Sequence, residues 1–256
     1  MPIAANIYYH LYRGVEEGER PPVILIHGAG GTHLYWPSEI RRLPRYRIFA
    51  LDLPGHGKSG GSGQQTISAY TRSVLDWMQA VELPRAVFIG HSMGSAIVLT
   101  LALEQPNQVL GLGLVAASAR MQVAPDLLDA TENPTTFQTA IEMIISRSFG
   151  PQAPPRLKEL AALRMAETRP SVLHGDFLAC NTFDRIADIE QISQPALVIC
   201  GTEDRMTPMR FAQFLADRMP NARLEPVPGA GHMVMLEQPQ AVAVALRGFL
   251  DKISYV

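Results

Sequence analysis

Short all-apolar runs recur along this chain, each closed by a glycine, a proline or a polar residue. Pro22-Val23-Ile24-Leu25-Ile26 ends at His27-Gly28, and Arg47-Ile48-Phe49-Ala50-Leu51 ends at Asp52-Leu53-Pro54-Gly55. Arg85-Ala86-Val87-Phe88-Ile89, Val109 to Val115 and Pro195-Ala196-Leu197-Val198-Ile199-Cys200 have the same form, and a last run lies near Arg223 to Val227. Runs without alternation suit strands covered on both faces, the condition of a parallel sheet. Ile7 to Tyr12 alternates loosely and reads as an early strand. Between the runs the period lengthens. Thr66 to Val81 puts Ile67, Tyr70, Val74, Leu75 and Met78 on one helical face. Ser95 to Leu103 is almost wholly apolar, as a buried helix is. Thr207 as N-cap and Pro208 at the first helical position predict a helix to Met219, and a last helix runs from Pro239 to Asp251. Strand and helix alternate, which predicts an α/β fold with a doubly wound sheet and helices on both faces.

The rhythm breaks between Ser118 and Gln194. Prolines at 125, 134, 151, 154, 155 and 170 punctuate helical runs there. Asn133-Pro134 starts one, with Phe137, Ile141, Ile144 and Ile145 on a common face. The expected organisation is a core of residues 1–117 and 195–256 carrying a helical cap, or lid, at 118–194. Within the cap Phe137, Met143, Ile144, Phe149, Met165, Phe177 and Phe183 are expected to form mostly its own core. Gly57 to Gln65 (GKSGGSGQQ) reads as a flexible patch.

Composition narrows the class. The chain of 256 residues has a net charge of −2 and no long basic run, so no nucleic-acid footprint is expected. No apolar stretch reaches the roughly 18–20 residues of a spanning helix, and no export signal opens the sequence. A cytoplasmic protein without membrane association, monomeric or a small homo-oligomer, is expected. Cys180 and Cys200 have no metal-type spacing, and a reduced, buried Cys200 is the simpler reading. No metal or cofactor is expected, since neither HExxH nor GxGxxG occurs. Gly57-Lys58-Ser59 is not a phosphate loop, because Asp52 stands where that motif needs glycine.

The candidate chemistry centres on Gly90-His91-Ser92-Met93-Gly94, a G-x-S-x-G turn between strand and helix. Such a turn holds its serine in a sharp bend at the top of a sheet. A serine hydroxyl needs a base, and the base an orienting acid. Asp204, in Gly201-Thr202-Glu203-Asp204, and His232, in Gly229-Ala230-Gly231-His232, follow late strands, and loops at strand carboxyl ends converge. Glu203 is the adjacent alternative acid. Oxyanion donors are expected from the backbone N–H groups of Met93 and Ala29. Gly28 and Gly30 allow close approach in the loop of Ala29. His27 is expected to shape that loop, and His91 to flank the elbow structurally. Asp52 reads as a strand-end turn residue. His10, His33, His56 and His174 read as surface or packing residues, with His174 the one that could touch substrate.

These segments together resemble the α/β-hydrolase fold family. The matching pieces are HGAGG at 27–31, DLPGHGKS at 52–59, GHSMG at 90–94, GTEDRMTP at 201–208 and GAGHMVMLEQP at 229–239. The resemblance implies an eight-stranded, mostly parallel sheet with an antiparallel first part, and a catalytic triad of Ser92, Asp204 and His232. It implies a carboxylesterase-like serine hydrolase acting on small to medium apolar esters. Carbon–carbon bond or enol-lactone hydrolysis, acyl transfer and perhydrolysis remain alternatives on the same triad, as does a ligand-binding receptor. Gly31 stands where carbon–carbon hydrolases of this kind usually carry proline, which disfavours that chemistry.

Overall fold

The computed structural model describes residues 2–13 and 20–255. Its strands are β1 (Ile3–Ala4), β2 (Ile7–Arg13), β3 (Val23–Ile26), β4 (Arg47–Asp52), β5 (Ala86–His91), β6 (Val109–Val115), β7 (Ala196–Gly201) and β8 (Ala222–Val227). They form one sheet in the order β1-β2-β4-β3-β5-β6-β7-β8. β1 and β2, and β2 and β4, pair antiparallel, while every other pairing is parallel. The predicted strands therefore form. The two-residue β1 carries no periodic signal and was not predicted.

The helices are α1 (Ser38–Arg41), α2 (Ile67–Ala80), α3 (Met93–Glu104), α4 (Pro125–Glu132), α5 (Phe137–Ser148), α6 (Pro155–Ala166), α7 (Pro170–Asn181), α8 (Met209–Arg218), α9 (Val234–Glu237) and α10 (Pro239–Leu250). Successive strand residues feed opposite faces of the sheet. Ile24, Ile26, Phe88, Leu112 and Val198 pack against α2, α3 and α8. Val23, Leu25, Val87, Ile89 and Ile199 pack against α1 and α10. That double covering is why the strands read as unbroken apolar runs.

Helices α4 to α7 lie between β6 and β7 and share an apolar cluster of Leu127, Ala140, Ile141, Ile144, Met165, Leu173 and Phe177. Two residues expected in that cluster leave it. Phe149 packs in the layer with α10, because Ser148 and Gly150 on either side of it are bonded to Met233 and Glu237, and Phe183, which follows α7, packs in the layer with α3. The start of α8 also differs from expectation. Pro208 is its N-cap and no side chain caps it. The Thr207 hydroxyl donates instead to Asp204 Oδ2 at 2.8 Å.

The glycine-rich stretch from Gly57 is pinned rather than loose. Asp52 accepts from the amide of Lys58 at 2.9 Å, Gly55 N–H from the same turn donates to Gly60 O at 2.8 Å, and Ser59 Oγ accepts from Tyr8 N–H at 2.8 Å. The other Asp52 oxygen accepts from both the backbone and the ring of His33. Among the described residues no helix is long and apolar enough to cross a membrane. Both cysteines are free and buried.

Candidate active site

The chain leaves β3 toward β4 on one side of the sheet and leaves β5 toward β6 on the other. The crevice between β3 and β5 is therefore the switch point at which α/β sheets place ligands. Ile26 is in register with Gly90, so the loop after β3 runs beside the turn after β5. A methyl on Gly28 would lie 3.1 Å from Ser92 Cβ. A methyl on Gly90 would lie 2.2 Å from Gly94 O, and one on Gly94 would lie 2.3 Å from Ile26 O. Those contacts with backbone leave room for hydrogen alone and explain both glycines of the turn.

Ser92 itself sits at φ 51°, ψ −118°, immediately before α3. A non-glycine residue in that region stores strain of about 1–3 kcal/mol and needs strong anchoring. The anchors are present. Ser92 N–H donates to Val115 O at 2.9 Å, and Ser92 O accepts from Ser95 N–H at 2.8 Å and Ser95 Oγ at 2.6 Å. The side chain is half-exposed, and its hydroxyl has no hydrogen bond among the described residues.

Asp204 and His232, 28 residues apart in sequence, are joined. His232 Nδ1 lies 2.9 Å from Asp204 Oδ2. Asp204 also accepts from the amides of Met206 and Thr207 and from the Thr207 hydroxyl. Burial alone would raise its carboxyl, but the facing His232 ring and the Thr207 bonds hold it below the ordinary carboxylate value. An ionised carboxylate can only accept, so His232 carries its proton on Nδ1 and leaves Nε2 free to accept. Glu203, the alternative acid, is exposed, and no hydrogen bond joins its side chain to His232.

Ser92 and His232 both line a cavity of about 690 Å³, with Leu127, Phe177, Phe211 and Phe214 among its apolar walls. The structure thus brings the three residues to one site, with Ser92 not yet hydrogen-bonded to the ring. His174 is not part of that lining; its Nδ1 lies 3.1 Å from Thr131 Oγ1.

The expected oxyanion donors flank the serine. Met93 is fully buried at the first turn of α3, where its N–H has no intrahelical acceptor. The Ala29 N–H is likewise without a hydrogen bond among the described residues, while both its neighbours are held. Gly28 O accepts from Gly31 N–H at 3.1 Å, and Gly30 N–H donates to Asp176 Oδ2 at 2.8 Å.

His27 bridges its loop to the next strand end. Its Nδ1 lies 2.8 Å from Gly28 O, and its Nε2 accepts from Leu53 N–H at 3.0 Å. Burial, reinforced by His56, pushes its pKa down to about 4. His91 Nε2 donates to His232 O at 3.0 Å, while its buried Nδ1 has no partner. Burial and the facing His232 ring push its pKa down to about 3.

Two histidines depart from the surface-or-packing reading. His33 and His56 are buried and carboxylate-bound, to Asp52 and Asp176 respectively, each at 2.8 Å. Sequence reasoning also missed Asp176, Thr168, Thr207 and Glu237. Glu237 accepts from Gly231 N–H and Gly150 N–H, both at 2.9 Å, and so fixes the loop before His232. An isolated acid in the apolar run Val172 to Cys180 was the available signal for Asp176.

Comparison with known proteins agrees with this architecture. Residues 23–245 match the model of the alpha/beta hydrolase family. A pimeloyl-[acyl-carrier protein] methyl ester esterase from Serratia marcescens is 29% identical, over 93% of this chain and 97% of that protein. A putative carbamate hydrolase from a Caulobacter strain is 28% identical, over 95% of each. A solved thermophilic esterase superposes with a TM-score of 0.82 at 30% identity, covering 97% of this chain and 95% of its own. By fold, site geometry and sequence match, this chain is a hydrolase belonging to the alpha/beta hydrolase family.

Proposed function

We propose that the protein is a serine hydrolase that cleaves small to medium apolar carboxylic esters through an acyl-enzyme on Ser92. The observation that carries this reading is the buried 2.9 Å contact of His232 with Asp204, beside a strained serine on the same cavity wall. The esterase relatives support the substrate class. Residues 118–194 act as the cap that closes the cavity over the core formed by 1–117 and 195–256.

In the proposed reaction Ser92 Oγ bonds to the acyl carbon and its proton passes to His232 Nε2. Ser92 and His232 share the cavity wall, and catalytic bonds of this kind often tighten only when substrate is bound. Charge on the carbonyl oxygen is met by the N–H groups of Ala29 and Met93, each such donor being worth about 2.7–4 kcal/mol of barrier. His232 then gives its proton to the leaving alkoxide and the alcohol departs. Water attacks the acyl-enzyme with His232 as base, releasing the carboxylic acid and restoring Ser92. Asp204 keeps the ring in its Nδ1–H tautomer and stabilises the imidazolium.

Stoichiometric labelling by a fluorophosphonate, paired with steady-state assay on a panel of p-nitrophenyl esters, tests the reading. Labelling at Ser92 with multiple turnover supports it. Labelling without turnover on any ester makes the protein a receptor that kept the fold.

A further inference from the structure

We propose that Asp176 and Thr168 are positioning residues for the oxyanion site. They hold the N–H and the carbonyl oxygen of Gly30 and so help aim the N–H of the preceding residue, Ala29. The inference rests on the proposed role of Ala29 as an oxyanion donor.

Both residues belong to the segment between β6 and β7, far in sequence from the loop they hold. Gly30 N–H donates to Asp176 Oδ2 at 2.8 Å. Gly30 O accepts from Thr168 Oγ1 at 3.1 Å. The N–H of Gly30 is thus held from α7 and its carbonyl oxygen from the turn between α6 and α7, with Tyr35 OH as a second, longer donor to that oxygen at 3.4 Å. Gly30 has φ 62°, and a methyl there would lie 2.7 Å from Leu173 Cδ1 and 3.3 Å from Met165 Cγ. Only glycine adopts that conformation freely and leaves α6 and α7 this close.

Asp176 is fully buried. Its Oδ2 also lies 2.8 Å from His56 Nε2, and its Oδ1 accepts from Tyr70 OH. His56 is itself fixed through Nδ1, 3.1 Å from Pro54 O. A buried carboxylate held by donors from three separate stretches of chain is a rigid reference point. The Ala29 N–H shares its peptide plane with Gly28 O, which Gly31 N–H and the His27 ring hold, and the plane that follows, ending in Gly30 N–H, is the one Asp176 holds, so Ala29 is fixed from both sides. The segment therefore does more than cover the cavity: it completes the aim of an amide on the core.

The test compares Asp176→Ala, Thr168→Val and Tyr70→Phe, each checked for native circular dichroism and unfolding. Asp176→Asn serves as the conservative variant, because its carbonyl can still accept from Gly30. The readouts are kcat, KM and the rate ratio of an ester to its thionoester. Sulfur is a larger, weaker acceptor, so discrimination against it reports the oxyanion donors.

Asp176→Ala and Thr168→Val are expected to lower kcat roughly tenfold or more, to leave KM little changed and to shrink the ester-to-thionoester ratio. Asp176→Asn recovers much of the loss. Tyr70→Phe loosens the same carboxylate but leaves its bond to Gly30, so its losses in kcat and in the ratio are expected to be smaller than those of Asp176→Ala. If Asp176→Ala does not fold, Thr168→Val decides. Native kcat and ratio in a folded Thr168→Val or Asp176→Ala overturn the proposal while leaving the Ser92 reading intact. Absence of ester-to-thionoester discrimination in the native enzyme overturns the oxyanion assignment itself.

Discussion

His91 Nε2 donates to the backbone carbonyl of His232 at 3.0 Å. The side chain next to the elbow serine therefore ties the loop after β8 to the turn after β5. This bond requires a proton on Nε2, and the ring is neutral because burial and the facing His232 depress its pKa to about 3.

Acid stability follows with a definite sign. His91 and His27 stay neutral in the fold down to about 3 and 4, whereas an unfolded histidine binds its proton near 6.5. Below pH 6.5 the unfolded chain takes up more protons, so stability falls as pH falls from 6.5 toward those values. Each histidine contributes a slope of up to about 1.4 kcal/mol per pH unit. Urea unfolding between pH 7 and pH 4 should show this loss, and His91→Gln should flatten it. An unchanged slope in that variant would remove His91 from the explanation.

His56 titrates in the opposite sense. Burial would lower its pKa, but the Asp176 carboxylate overcomes that and raises it above 6.5. Its pairing stabilises the fold fully below about pH 6.5 and is lost as pH rises through the raised value. Native protein should lose more stability than Asp176→Asn between pH 6 and pH 9. Parallel profiles for the two proteins would argue against a charged pair.

Asp204→Asn should leave the fold intact and lower kcat by roughly 10⁴, the cost of presenting the wrong histidine tautomer. KM should change little. Steady-state kinetics on a p-nitrophenyl ester measure this, and a loss under tenfold would return Glu203 to consideration as the acid.

Much of this arrangement was legible in the sequence. The apolar runs gave the sheet because β3 to β7 are covered on both faces, and the two glycines of the elbow announced the close approach to Ile26 O and Gly94 O. The spacing of Asp204 and His232 after their strands placed both at the sheet's carboxyl edge. What escaped was the polar side chains whose partners lie far along the chain. Asp176 meets His56 across 120 residues and Gly30 across 146. No local period encodes such a meeting. Thr207 was read as a helix cap because its local context fits one, and the carboxylate of Asp204 competed successfully for its hydroxyl.

Substitution of Gly94 by alanine should prevent folding. Its methyl would stand 2.3 Å from Ile26 O and 2.7 Å from His27 O, backbone atoms that cannot swing aside. Soluble yield and unfolding midpoint report the effect. A soluble Gly94→Ala protein of native stability would mean that α3 does not sit against β3 as described.

The size of the cavity sets an expected acyl preference. A volume of about 690 Å³ walled by Leu127, Phe177, Phe211 and Phe214 suits short to medium acyl chains. Activity across p-nitrophenyl esters of rising length should pass a maximum and decline. Flat activity out to very long chains would contradict a pocket of this limited volume.

The most direct test of the central claim is to trap the acyl-enzyme. Native protein, mixed with a short p-nitrophenyl ester and quenched in acid within the first turnover, is digested and mapped by mass spectrometry. The account predicts an acyl adduct on Ser92, with Ser92→Ala lacking both the adduct and turnover, a loss on the order of 10⁶ in kcat. Near-native hydrolysis by Ser92→Ala, or an adduct on another residue, would contradict it.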